Sequence, residues 1–179
     1  MFRQFNVNGD SGLVWAGVVA DFKELDAQAE KFDAKFIFVD SRYRTQEVND
    51  FCASRQGYFP CQGVQRKAMQ LFSPAMIHTN QGDVEGVTHN PDKLKDILAE
   101  MIQRGVNAKR WLVPRGTALR DDYPSQMTAE KNVNGKWMQV PAGKANHYFD
   151  AEVLVLLCAI KFGIINLDIS MEVTKDGNE

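Results

Sequence analysis

Two carboxylates stand where a protein can put them to work. Asp40 follows the apolar run "FIFV" and precedes "SRYR", and Asp150 opens the run "AEVLVLLCAI". A charge led into a core without a partner loses much of its hydration, so it pairs, shifts its pKa or binds a metal. Functional side chains collect at the carboxyl ends of buried strands, where they leave the core without leaving the rigid frame. A strand-end Asp and a helix-start Asp meeting from 110 residues apart make an oxygen-donor site of the kind Mg²⁺ and Mn²⁺ prefer. Two such ions ~3.5–4 Å apart activate a water and stabilise the leaving oxygen in phosphodiester cleavage. Spacing alone does not establish that they meet. Asp40 also suits a turn that bonds nearby backbone, and an acid in a first helical turn suits the helix dipole, worth ~0.3–1 kcal/mol.

The elements that must position these acids are written in the pattern. Residues 2–20 read as a β-hairpin about "NGDSG". Asp21, with Glu24 three residues on, caps an amphipathic helix whose Phe22, Leu25, Ala29 and Phe32 share a face. The run Phe36 to Val39 predicts a strand buried on both faces, as in the parallel part of an α/β sheet. Thr45 is placed to cap a second helix carrying Val48, Phe51 and Cys52 inward and ending by Gly57. Residues 58–89 read as irregular. Asn90 and Pro91 open a helix with Leu94, Ile97, Leu98, Met101 and Ile102, stopped by Gly105. Asn134-Gly135 turns a short hairpin, and a last helix spans about 147–162. On its wheel Asp150 shares a stripe with Val153, Leu154 and Leu157, whereas Glu152, about 200° round, faces away and is expected to stay solvated.

The order of elements is that of one mixed α/β layered domain. The chain has 179 residues, 44% of them hydrophobic and 25% charged, enough to bury roughly 70% of its unfolded surface without disulfides or a structural metal. Its three cysteines lack CxxC spacing and read as reduced thiols of a cytoplasmic protein. No apolar run approaches the ~18 residues of a membrane span, and no GxxxxGK[ST] phosphate loop occurs. A net charge of −2 gives no global attraction for nucleic acid. Local basic groups remain: Arg42 with Arg44, Arg66 with Lys67, and Lys109, Arg110, Arg115 and Arg120.

Three segments, "FVDSRYRTQEVNDFC", "YPSQMTAEK" and "NHYFDAEVLVLLCA", resemble in order and spacing the nuclease domain of phage lambda-type terminase large subunits. The likeness covers most of residues 1–163. It implies an RNase H-like mixed sheet flanked by helices over residues 1–165, with 166–179 as a polar tail. It also implies an endonuclease that cuts concatemeric double-stranded phage DNA during packaging with Mg²⁺ or Mn²⁺. Carried over, Asp40 and Asp150 are the catalytic and metal-binding acids. His147 supports the metal shell or faces DNA, and Arg42 and Arg44 meet phosphates, which fix register without reading sequence. Tyr123, Gln126 and Glu130 are assigned no chemistry. In such proteins an earlier strand bears a further catalytic Asp, and an ATPase motor precedes the nuclease; neither is matched here. Asp10, in a turn, is a poor replacement, and the strand ending in Asp40 is expected to expose an unpaired edge. Other terminase subunits or the portal are the implied partners, in the host cytoplasm. Two alternatives stand beside this reading: an inactive prophage remnant that only binds DNA or a partner, and another RNase H-like nuclease such as a resolvase or transposase.

Overall fold

The structure is a computed structural model and describes residues 1–65, 70–104, 110–114, 120 and 122–167. Strands β1 (Phe2–Phe5) and β2 (Ser11–Trp15) form the expected antiparallel hairpin, and β2 pairs in parallel with the short β7 (Trp111–Leu112). The main sheet runs β3 (Ile37–Asp40), β4 (Tyr58–Gly63), β6 (Gly82–His89), β5 (Phe72–Thr79), with β3, β4 and β6 parallel and β5 antiparallel to β6. A separate hairpin joins β8 (Glu130–Val133) to β9 (Lys136–Gln139). Its turn is the predicted Asn134-Gly135, both at positive φ as a type I′ turn requires.

Helices cover both faces of the main sheet. Helix α1 (Phe22–Lys31) starts as predicted, the Asp21 carboxylate accepting from the Glu24 N–H at 2.8 Å. With α2 (Thr45–Ala53) it covers one face, where Ala29, Val48, Phe51 and Cys52 meet Ile37, Tyr58 and Val84. On the other face Cys61 and Val87 meet α3 (Pro91–Arg104) and α5 (His147–Lys161) through Leu94, Leu98, Met101, Val153, Leu156 and Leu157. Each fully enclosed leucine contributes about 1.5–3 kcal/mol by leaving water. Side chains alternate between faces along β4, Tyr58 to one and Cys61 to the other, as the two-residue strand period demands. This is the mixed α/β architecture expected, consistent with an RNase H-like arrangement.

Three local expectations are corrected. Residues 58–89 are not irregular: they hold β4, β5 and β6. The strand at 37–40 packs on both faces, Ile37 and Val39 on the α1–α2 side and Phe38 against the other cluster, but less deeply than expected. Ile37 alone is fully buried and Phe36 beside it is 41% exposed, because β4 is its one strand neighbour among the described residues and its other edge opens on solvent. Helix α2 is not capped by Thr45. Arg44 occupies the cap in the left-handed region, and the Thr45 hydroxyl donates back to the Ser41 carbonyl. A short helix, α4 (Tyr123–Met127), lies in a segment with no predicted element. Gly105, proposed as the stop of α3, lies outside the described residues, as do Arg66, Lys67, Lys109, Arg115 and most of the polar tail.

Among the described residues the two larger sheets do not join. β1 and β3 each have one strand neighbour among the described residues, and a groove of about 1240 Å³ is lined by all of both. Ala151, Leu154, Val155 and Cys158 of α5 also line it.

Candidate functional site

Parallel register sets one end of this groove. Asp40 lies opposite Cys61, and Gly63 lies opposite His89, so the carboxyl ends of β3, β4 and β6 face the same way. Asp40, Arg42, Gly63 and His89 line the groove with His147 and Asp150 from the first turn of α5. The two predicted acids thus come to one cavity. His147 is exposed there. Arg42 donates from Nη2 to the Gly63 carbonyl at 2.7 Å, and its backbone N–H donates to Asp40 Oδ1 at 2.9 Å. The turn-forming role open to Asp40 is therefore filled by one oxygen. Arg44 is not among the groove residues; it pairs on the surface with Glu47 at 3.0 Å.

Asp150 finds its partner in a residue that no motif singled out. Lys95 of α3 places its ammonium 2.8 Å from Asp150 Oδ1 and 2.8 Å from each oxygen of Glu130. The Lys95 and Glu130 side chains are 9% and 4% exposed, that of Asp150 49%. Asn146, just before α5, donates from Nδ2 to Glu130 and, at 2.9 Å, to Asp150. Glu130, assigned no chemistry, is thus joined to the candidate site. Nothing in its neighbours, the start of a polar hairpin, signals this. For Lys95 the one available signal was its place directly after buried Leu94, at the rim of the apolar stripe of α3.

His89 is the other unexpected member. It is 6% exposed, and its Nδ1 has no hydrogen-bond partner among the described residues. Burial, reinforced by the positive charges of Arg42 and Lys95, pulls its pKa down to about 4.

Glu152 requires a correction. It is not solvated but wholly buried, and three side chains hold it through four hydrogen bonds. Arg3 donates to both carboxylate oxygens, at 2.5 and 2.7 Å; Trp111 Nε1 donates at 3.1 Å and the Tyr123 hydroxyl at 2.7 Å. Helix α5 packs on more than one side, since Tyr148 and Tyr123 meet Leu13 of β2 while Val153 and Leu157 join the main core. A wheel that assumes one buried stripe misplaces a residue on such a helix. Gln126, likewise assigned no chemistry, accepts from the Tyr148 N–H at 3.2 Å. Asp10 pairs with Arg110, whose guanidinium and backbone N–H hold the carboxyl down at about 2. It belongs to the hairpin turn rather than to the groove.

Oxygen donors of the right kind for a hard divalent ion are therefore present in Asp40, Asp150 and Glu130. They fall short in number at any one point: no group of three or more His, Cys, Asp or Glu side chains placed to hold an ion occurs among the described residues. No described helix is long and apolar enough to cross a membrane. A family model described as the terminase large subunit gpA endonuclease domain matches residues 17–169. No curated protein and no solved structure matches the chain.

Proposed function

The chain belongs to the terminase large subunit gpA endonuclease family, and from that premise we propose that it is a divalent-metal-dependent DNA endonuclease domain whose acids are Asp40 and Asp150. The observation that supports this most is that both acids line one groove, from a strand end and a helix start far apart in sequence. Mg²⁺ or Mn²⁺ bound at these acids would supply Lewis acidity and an activated water for phosphodiester hydrolysis. The protein's own share is positioning. The backbone bond from Arg42 fixes the Asp40 carboxylate, and Asn146 fixes that of Asp150. Arg42, tethered through Gly63, and the exposed His147 present donors to a phosphate at the groove mouth, while Arg44 adds positive charge nearby. The substrate in this reading is double-stranded concatemeric phage DNA in the host cytoplasm, with other terminase subunits or the portal as partners. The nuclease unit is residues 1–165, RNase H-like in its layers, followed by a tail.

The test is nicking of supercoiled plasmid by the full chain with Mn²⁺. Asp40→Ala and Asp150→Ala should each lower the rate by at least about a hundredfold, the scale on which single catalytic groups act. Undiminished cutting by either variant removes that residue from the mechanism. A second reading, a fragment that binds DNA or a partner without cutting, draws support from the ammonium already seated on Asp150. Calorimetry with Mn²⁺ separates the two, because a chain that binds no metal cannot run this chemistry.

A further inference from the structure

We propose that Lys95 is a resident cation of the site: its ammonium holds Glu130 and Asp150 together, and a divalent ion reaches Asp150 only by displacing it. This rests on the reading of Asp150 as a metal ligand. An ammonium has three N–H donors, and here three carboxylate oxygens lie at 2.8 Å, two from Glu130 and one from Asp150. Its donors are thereby used up. The lysine is rooted between Leu94 and Leu98, both at 0% exposure, with its Nζ 5.4 Å from the centre of the Phe149 ring. A surface lysine would trade such contacts for water; this one, 9% exposed, has little water to trade for. Glu130 is more deeply enclosed and fixes the ammonium, while Asp150 is half open to the groove. Of the two carboxylates, Asp150 is therefore the one an incoming ion meets.

A second cation cannot share Asp150 with the ammonium at little cost, since like charges within ~4 Å repel strongly in a partly dry site. Exchange lowers that cost, because the ammonium stays with Glu130 while Asp150, half open to the groove, trades one counterion for another. Asn146 bridges both carboxylates and so preserves their spacing while the cation changes. Lys95 touches no reacting atom in this scheme. It is a positioning residue that sets how much metal the site needs.

The test is calorimetric titration of Mn²⁺ into the full chain. Lys95→Gln should bind on the order of tenfold tighter than wild type, the scale of one unit charge removed from contact with the site. Lys95→Arg, which keeps the charge, should bind as wild type does. Unchanged or weaker binding by Lys95→Gln overturns the proposal. If wild type binds Mn²⁺, Asp150→Asn weakens it and Lys95→Gln does not tighten it, the lysine proposal alone falls. If neither wild type nor Lys95→Gln binds, the metal reading of Asp150 falls with it. Thermal melting gives a readout free of activity: Lys95→Gln should melt below wild type in chelator and gain more from saturating Mn²⁺. Equal gains count against exchange. Should Lys95→Gln not fold, the double variant Lys95→Gln with Glu130→Gln removes opposite buried charges together. It too should bind Mn²⁺ more tightly than wild type, and failure to do so has the same force.

Discussion

Glu152 carries a carboxylate through the middle of α5 at 0% exposure, and everything that makes this tolerable is a directed donor. Arg3, itself buried at the side chain, stacks its guanidinium 4.3 Å from the centre of the Trp111 ring while both groups bond the same acid. Breaking a buried pair from one side leaves the other charge stranded, which costs about 3–5 kcal/mol. Glu152→Ala should lose that much in urea unfolding. The double change Arg3→Met with Glu152→Leu should lose clearly less, and equal losses would mean the stranded guanidinium is not the cause. The burial of Glu152 had a signal in the sequence. After Asp150 the run "AEVLVLLCAI" has no polar face at all, so a polar residue inside it has nowhere wet to point.

His89 links the same scale to pH. The unfolded chain takes up its proton near the usual 6.5, whereas the folded chain resists it until about 4. Stability from this residue is complete above pH 6.5 and is lost as pH falls toward 4, by up to about 3 kcal/mol. Urea unfolding between pH 4.5 and 7 should show that slope. His89→Asn should flatten it, and an unaltered slope would assign the effect to other groups.

At the scale of elements, the helices with side-chain caps were legible and the strands interrupted by prolines were not. Asp21 and Asn90 open α1 and α3 where their side chains accept the third N–H onward, at 2.8 and 3.1 Å, and Asn134-Gly135 turns its hairpin. By contrast Pro60 and Pro74 make β4 and β5 look unfit for a sheet. Both fit for local reasons. The β4–β6 ladder runs from Cys61 to Gly63, so Pro60 precedes it, and β5 is an edge strand whose one strand neighbour among the described residues is β6. Gly57 brings the chain from α2 into β4 at φ +84°, and its carbonyl accepts from the Ile37 N–H at 2.8 Å. A Cβ there would lie 2.6 Å from the Lys35 carbonyl oxygen, which is backbone and cannot swing away. Gly57→Ala should therefore cost more than the ~1 kcal/mol of a positive-φ glycine alone, read as a lower urea midpoint. A loss below that would show that β3 and β4 can shift at no cost.

At the scale of the whole molecule, the candidate site is a meeting of elements. Asp40 comes from β3, His89 from β6, Lys95 from α3, Glu130 from β8 and Asp150 from α5. The two aspartates could be singled out because each sits at an element end with apolar chain beside it. Lys95 and Glu130 could not, since what makes them interesting is each other, 35 residues apart. Their pairing follows from α3 and the β8–β9 hairpin lying side by side, as the bond from Trp137 Nε1 to Asp96 at 2.8 Å attests, and no local pattern encodes that. Among the described residues the strand bearing Asp40 has the expected unpaired edge, and β1, which also lines the groove, has another.

The tie between Arg3 and Glu152 also sets a clock. The two residues are 149 positions apart, and a ribosome adding roughly 5–20 residues per second needs on the order of 10–30 s to pass from one to the other. Throughout that interval the first strand exists without the acid that neutralises its arginine. The hairpin is thus the first part of this sequence to be made and among the last to be locked in place.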